Sequence, residues 1–206
     1  MKIAIFCGSH LAKNPNFAIA AQEIGTLIAQ RGHHLLYGGS NWGYMGLVAQ
    51  AALKEGGEVT AVIPTIFSQE VIDSQPVTHS IIVDSMAERK HQLAIQSDAY
   101  IALPGGIGTL DEITEMMVNN QLSLPGGMSS KRYGEAFSPS DYLSSKGTAH
   151  RPVGILNTNG FFSPFLIQLD MMVEEGLLAQ ENRAALLDRA TPENLLAAIE
   201  KAIENN

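Results

Sequence analysis

The chain contains very little cysteine: Cys7 is the single one among 206 residues. One thiol cannot form an internal disulfide, and it cannot build a zinc site that needs several cysteine ligands. The six histidines do not show the H-x-x-x-H spacing of a helical zinc site. We therefore predict neither a disulfide framework nor a metal centre, and the composition is compatible with a reducing cytoplasm.

Basic residues are also scarce. The chain has 13 Lys and Arg against 21 Asp and Glu, which gives a formal net charge of -8. Because this leaves no basic stripe, nonspecific binding to nucleic acid or to an anionic membrane is not expected. No apolar run reaches the roughly 18 residues of a membrane-spanning helix, and the apolar start is too short for a signal peptide. We predict a cytoplasmic protein that holds any anionic ligand with local groups.

The apolar content, 45% of the residues, is that of a folded domain. Short apolar runs alternate with helical patterns, with strands predicted at 2–6, 34–37, 59–63, 81–83, 99–103, 153–156 and 185–187, and helices at 17–30, 45–54, 86–96, 109–120, 162–175 and 192–204. This alternation predicts right-handed crossovers, and hence an α/β fold with a doubly wound parallel sheet and helices on both faces. One domain is expected over residues 1–206, with an irregular insertion at about 123–150.

Glycines follow three of the predicted strands, after Phe6, Tyr37 and Leu103. Sheets of this kind bind ligands beyond the carboxyl ends of their strands, so these three loops are candidate sites. The chain contains neither G-x-G-x-x-G nor the P-loop pattern, which removes the main support for a dinucleotide or P-loop site. Trp42 and Tyr44, close to the second loop, could stack on a base or pack in the core.

The third loop, Leu103 to Glu112, carries the clearest chemical signal. It joins a strand to a helix that is predicted to begin at Thr109. Its glycines remove side chains that would keep a ligand from the backbone, and a helix N-terminus favours an anion. The loop therefore predicts a phosphate cradle with two carboxylates, Asp111 and Glu112, beside it. The alternative is a tight left-handed turn with an ordinary Thr109 cap.

Two basic residues, Arg89 and Lys90, lie near the start of the helix predicted at 86–96, which Asp84 or Ser85 could cap. Cations at this end oppose the helix dipole. One interpretation is that one of them faces an anion at the edge of the sheet. The other is that both belong to an ordinary solvated helix face.

The P-G-G-x-G-T-x-x-E pattern from Pro104 to Glu112, together with Ser85-Met86 and Glu88-Arg89-Lys90, resembles the LOG family of cytokinin riboside 5'-monophosphate phosphoribohydrolases. The resemblance implies a Rossmann-like homodimer or larger homo-oligomer. It implies hydrolysis of the N-glycosidic bond of AMP or an N6-modified AMP to the free base and ribose 5-phosphate. No cofactor is expected, since nothing around the lysines identifies a pyridoxal phosphate site. The alternative is a nonenzymatic nucleotide or cofactor carrier of the same fold.

The resemblance also implies roles for single residues, with Glu112 and Arg89 as the catalytic pair. The positions implied to bind substrate or its phosphate are Gly105, Gly106, Ile107, Gly108, Thr109, Lys90, Asp111, Glu70, Ser9 and Gly39. The chain departs from the family pattern at Ser40, Tyr44 and Ala87. It also carries about 20 extra residues within 123–150, far beyond the usual loop length, which would form either a flap over the base pocket or a surface loop.

Overall fold

The computed structural model describes residues 1–67, 76–123 and 151–205. Its elements are β1 (Lys2–Phe6), α1 (Pro15–Gln30), β2 (His34–Tyr37), α2 (Gly43–Lys54), β3 (Val59–Pro64), β4 (His79–Val83), α3 (Met86–Gln96), β5 (Ala99–Ala102), α4 (Ile107–Ser123), β6 (Val153–Leu156), a 3-10 turn (Thr158–Gly160), α5 (Ser163–Glu174), α6 (Gln180–Ala184), β7 (Leu186–Arg189) and α7 (Pro192–Glu204). Every predicted strand and helix is present, with ends that mostly differ by one or two residues. The 3-10 turn and α6 were not predicted. Among the described helices, none is long and apolar enough to cross a membrane.

The seven strands form one sheet in the order β4-β3-β2-β1-β5-β6-β7. All neighbouring strands are parallel, with Ala4 of the central strand β1 in register with Leu36 of β2 and Tyr100 of β5. This confirms the prediction of a doubly wound α/β fold. The chain moves outward from β1 to β4 and then returns to place β5 beside β1. The strand order therefore reverses between β1 and β5, which is where such sheets open a ligand crevice.

The core lies in two layers, one on each face of the sheet. Alternating residues of β1 point to opposite faces, so that Ile3 and Ile5 pack with α1, α2 and α7, while Ala4 and Phe6 pack with α3, α4 and α5. Burial of both faces explains why the strands are continuous apolar runs. The described residues therefore form a single domain. The loops that follow the strands lie at the carboxyl edge of its sheet.

Asn120 of α4 binds the chain where it returns to the sheet. Its side-chain oxygen accepts a hydrogen bond from the Arg151 amide at 3.2 Å, and its amide nitrogen donates to the Arg151 carbonyl. The Arg151 guanidinium in turn donates to Tyr100 Oη at 3.0 Å and to the Ala94 carbonyl near the end of α3. These bonds tie α4 to the start of β6. The predicted insertion lies, from residue 124 to 150, outside the described residues.

Helices α1 and α2 approach each other closely at Gly25, a buried residue in the middle of α1. A Cβ at Gly25 would overlap the carbonyl oxygen of Val48 and lie 3.2 Å from the Ala51 Cβ. We expect Gly25→Ala to lower the free energy of unfolding by about 1–3 kcal/mol through this overpacking, although alanine is the better helix former. Urea unfolding measures the change, with Gln22→Ala on the exposed face of α1 as control. A variant as stable as the parent would contradict the packing.

Candidate functional site

The loops after β1, β2 and β5 enclose a cleft of about 890 Å³ at the carboxyl edge of the sheet. Two hydrogen bonds hold these loops together, from the Gly8 amide to the Pro104 carbonyl at 3.4 Å and from the Tyr44 amide to the Gly8 carbonyl at 3.1 Å. Of the residues predicted from the sequence, Ser9, Gly39, Gly106, Gly108, Thr109, Arg89 and Glu112 line this cleft. The strand order thus brings together side chains that are distant in sequence.

Helix α4 begins at Ile107, two residues earlier than predicted. The Gly106 carbonyl accepts hydrogen bonds from the amides of Thr109 and Leu110, at 3.1 and 3.2 Å. Thr109 is therefore inside the helix and 3% exposed, so the helix start predicted at Thr109 was wrong and the alternative in which Thr109 caps the helix is excluded. The amides of Ile107 and Gly108 have no acceptor within the helix, since they belong to its first turn. These two donors, rather than the Thr109 amide, are the ones free to meet an anion.

The glycines of this loop do not form a left-handed turn. None of Gly105, Gly106 and Gly108 has a positive φ, which excludes the alternative interpretation of the motif. Gly105 is needed for packing, because a Cβ there would overlap Thr109 Oγ1 and lie 2.9 Å from the Gly8 amide nitrogen. At Gly106 and Gly108, a Cβ would meet no described atom within 4 Å. Neither backbone conformation nor packing requires these two glycines, and both border the cleft.

Glu112 lies one helical turn beyond Gly108, with its carboxylate at the cleft. The residue is only 7% exposed. Its Oε1 lies 3.3 Å from Nη2 of Arg89, a residue of α3. Burial raises the pKa of Glu112 from 4.5 to about 7, although the Arg89 cation opposes the rise. A carboxyl with a pKa near 7 can exchange a proton at neutral pH, which is the property of a general acid or base.

Arg89 reaches the cleft from the first turns of α3. The helix is capped by Ser85, whose Oγ accepts from the Glu88 amide at 3.1 Å, while the Glu88 carboxylate accepts from the Asp84 amide at 2.9 Å. Arg89 is 8% exposed, so the interpretation that it belongs to a solvated face was wrong. Its Nε has no hydrogen-bond partner among the described residues. A buried donor without an acceptor suits a ligand oxygen.

Lys90 and Asp111 lie outside the cleft lining, on its flank. Lys90 Nζ is 2.9 Å from Asp111 Oδ2 and 2.7 Å from Glu115 Oε2, so that it bridges α3 and α4. Hydrogen bonds to Glu115 and Asp111 raise the pKa of Lys90 and keep it charged. Binding of substrate by Lys90 or Asp111 stays a prediction, but the contacts give both residues a role in joining two helices. Glu70 lies outside the described residues.

Apart from Trp42, which could stack on a base, the sequence did not predict the apolar part of the cleft. It is lined by Cys7, Trp42, Met45, Ile63, Phe67 and Met86. Trp42 is 79% exposed and free to meet a ligand, whereas Tyr44 is buried and its hydroxyl accepts from the Ala12 amide at 2.8 Å. Burial, and then the nearby Glu112 charge, raise the pKa of the Cys7 thiol far above its usual range, which disfavours the thiolate that a nucleophilic cysteine needs.

The sheet order and the cleft place the chain in the class of Rossmann-like α/β proteins whose ligand crevice lies at the reversal of strand order. A family model described as "Possible lysine decarboxylase" matches residues 45–199. The chain is 34% identical, over 98% of its length and 74% of the relative, to the cytokinin riboside 5'-monophosphate phosphoribohydrolase LOG of Oryza sativa subsp. japonica. It is 32% identical, over 97% of its length and 81% of the relative, to LOG7 of Arabidopsis thaliana. The chain belongs to the LOG family.

Solved structures of lower sequence identity share the fold. A molybdenum cofactor binding protein from Rippkaea orientalis superposes with a TM-score of 0.64 at 21% identity, covering 98% of this chain and 96% of that one. The molybdenum cofactor carrier protein of Chlamydomonas reinhardtii gives a TM-score of 0.61 at 21% identity, covering 97% and 96%. At this identity the likeness concerns the fold alone.

The raised pKa of Glu112 makes a prediction about stability. Since the folded pKa of about 7 exceeds the usual 4.5, the native state binds the extra proton in this window, and stability falls as pH rises through it. Glu112→Gln removes the ionisation, so we expect it to stabilise the protein by on the order of 3 kcal/mol at pH 8 and little at pH 5. Urea unfolding at both pH values measures this.

Glu115→Gln, which loses only an ion pair on the flank, is the control and should show no gain in stability. A Glu112→Gln variant less stable than the parent at pH 8 would contradict the raised pKa of Glu112.

Proposed function

We propose that the chain hydrolyses the N-glycosidic bond of a nucleoside 5'-monophosphate, AMP or an N6-modified AMP, to the free base and ribose 5-phosphate. The observation that carries the proposal is the buried Glu112 carboxylate, one helical turn from two free amides at the start of α4. The names of the relatives, which are phosphoribohydrolases, support the same activity.

Phosphate binding would fix the position of the sugar. The 5'-phosphate would accept hydrogen bonds from the amides of Ile107 and Gly108, where the dipole of α4 also favours a negative charge. Arg89 Nε, which lacks a described acceptor, would donate to a phosphate or ribose oxygen. With the phosphate held at the helix start, the ribose extends toward Glu112. Binding of the nucleotide then compensates for the entropy that is lost when the reacting atoms are oriented.

The chemistry would fall to Glu112. Cleavage of the bond between ribose and base builds positive charge at C1', which a nearby carboxylate stabilises. A water oxygen bonds to C1' while the electron pair of the N-glycosidic bond moves to the base nitrogen, which takes up a proton from solvent. Glu112 accepts the proton that the water gives up. A pKa of about 7 suits this transfer at neutral pH.

A nonenzymatic carrier is the second candidate, since carrier proteins share the fold. The charge at the cleft favours the enzyme. A buried carboxylate beside a phosphate site repels the phosphate and lowers its affinity, so a protein that only binds nucleotide would be better without Glu112. A homodimer or larger assembly and a cytoplasmic location remain part of the proposal.

Glu112→Gln is expected to lower base release from AMP at least 100-fold, because the amide keeps the shape but cannot accept a proton. AMP should bind at least as tightly as to the parent, since the charge that repels its phosphate is gone. Chromatography of free base and calorimetry of AMP binding measure the two effects. Glu115→Gln, the same change one turn further along α4, is the control and should retain turnover. Full activity of Glu112→Gln would disprove its role.

Gly108→Val tests the phosphate site separately from catalysis. A Cβ at Gly108 would meet no described atom within 4 Å, so we expect the fold to accept valine there, and its side chain would occupy the space beside the first-turn amides. In the Glu112→Gln background, we expect AMP affinity to fall more than about tenfold and adenosine affinity to stay unchanged, since charged hydrogen bonds of this kind contribute about 1.5–3 kcal/mol. Calorimetry with both ligands decides it. Equal losses for AMP and adenosine would place the phosphate elsewhere.

A further inference from the structure

Gly38, the first residue after β2, lies directly against the Arg89 side chain. A Cβ at Gly38 would overlap Nη2 of Arg89, and it would lie 2.6 Å from Cζ and 2.9 Å from Nε. All three distances are shorter than the nonbonded contacts that Cβ atoms make in proteins. Any side chain at residue 38 therefore excludes the guanidinium from its present position.

The backbone does not explain the glycine at residue 38. Gly39, its neighbour, has φ of +81° and needs glycine for that conformation. Gly38 has no such φ, so alanine can adopt its backbone without strain. The requirement at Gly38 is for space, and the atoms that fill this space belong to Arg89.

The guanidinium also has neighbours other than Gly38. Its Nη2 faces Glu112 Oε1 at 3.3 Å, and its Nη1 donates weakly to the Met86 sulfur at 3.9 Å. Arg89 is 8% exposed and lines the cleft, so a guanidinium displaced from Gly38 has the cleft as free space to enter. A displaced guanidinium would leave the Glu112 carboxylate buried without its nearest cation.

We infer that Gly38 is a positioning residue, which by lacking a side chain seats the Arg89 guanidinium against the Glu112 carboxylate. The inference rests on the proposed function for its catalytic meaning. The contact between Gly38 and Arg89, however, can be tested without any substrate.

The charges around Glu112 predict how displacement of Arg89 would change the pKa of Glu112. The groups that face Glu112 are Arg89 and Lys90 from α3, Cys7 at the end of β1, and Asp111 and Glu115 on its own helix. Cys7 is neutral, and Lys90 is held by Asp111 and Glu115. Arg89 is therefore the cation that most lowers the pKa of Glu112, and its displacement would raise that pKa further.

Gly38→Ala should lower kcat/KM for AMP by roughly 10- to 100-fold at pH 7, as expected for a misplaced catalytic group. Because Glu112 must be ionised to act, the acidic limb of the kcat/KM profile should also move up by about one pH unit. A glycine needed only for folding would lower the amount of active enzyme and leave the limb unmoved. An unchanged pH profile would overturn the inference.

A double-mutant cycle in thermal unfolding tests the contact itself. Gly38→Ala should lower the melting temperature in the parent and leave it unchanged, or slightly raise it, in an Arg89→Ala background, where the space is open. An equal loss in both backgrounds would overturn the inference. If the parent releases no base from any nucleotide, the proposed function fails while this cycle still decides whether Gly38 seats Arg89.

Discussion

A carboxylate that is almost wholly removed from water must be protonated or paired with a cation, and this constraint organises the carboxyl edge of the sheet. Glu112 is 7% exposed, and Arg89 reaches it from a different helix. Outside this inner pair, Lys90 joins Asp111 and Glu115 across the same two helices. Two adjacent residues of α3 thus face three acidic residues of α4, with the Arg89–Glu112 pair buried and the Lys90 cluster on the flank. The buried pair carries the chemistry that we propose, and the Lys90 cluster joins the two helices that present it.

The Arg89–Glu112 pair lies at the edge of the sheet where the strand order reverses. Because β1 lies between β2 and β5, the glycine loops that follow all three strands meet at one edge. The β5 loop starts α4 and directs its free amides into the cleft, and the β2 loop leaves the space that Arg89 fills. In the function that we propose, the start of α4 attracts the phosphate and the carboxylate one turn later repels it. This opposition would weaken binding alone, but it would serve a reaction that builds positive charge between the two.

The strands, the helices and the glycine loops could be predicted from the sequence, because each is encoded by the apolar periodicity or the glycines of a short segment. Spacing alone could not tell whether Arg89 or Lys90 faces inward, since the choice depends on the space at Gly38, about 50 residues earlier in the chain. The start of α4 was placed two residues late because Gly106 and Gly108 flank Ile107 and mask the helical pattern. Trp42 could be placed near the second glycine loop from the sequence, but Ile63, Phe67 and Met86 join it in the lining only through the tertiary fold.

The most direct measurement of the central claim follows the fate of AMP incubated with the purified protein in water enriched in oxygen-18. Hydrolysis at C1' predicts adenine and ribose 5-phosphate in equal amounts, with the heavy oxygen on the sugar and none on the base, and at least 100-fold less of both from the Glu112→Gln variant. Recovery of both AMP and N6-isopentenyl AMP intact from the parent protein would contradict the proposed function, as would release of the nucleoside and inorganic phosphate.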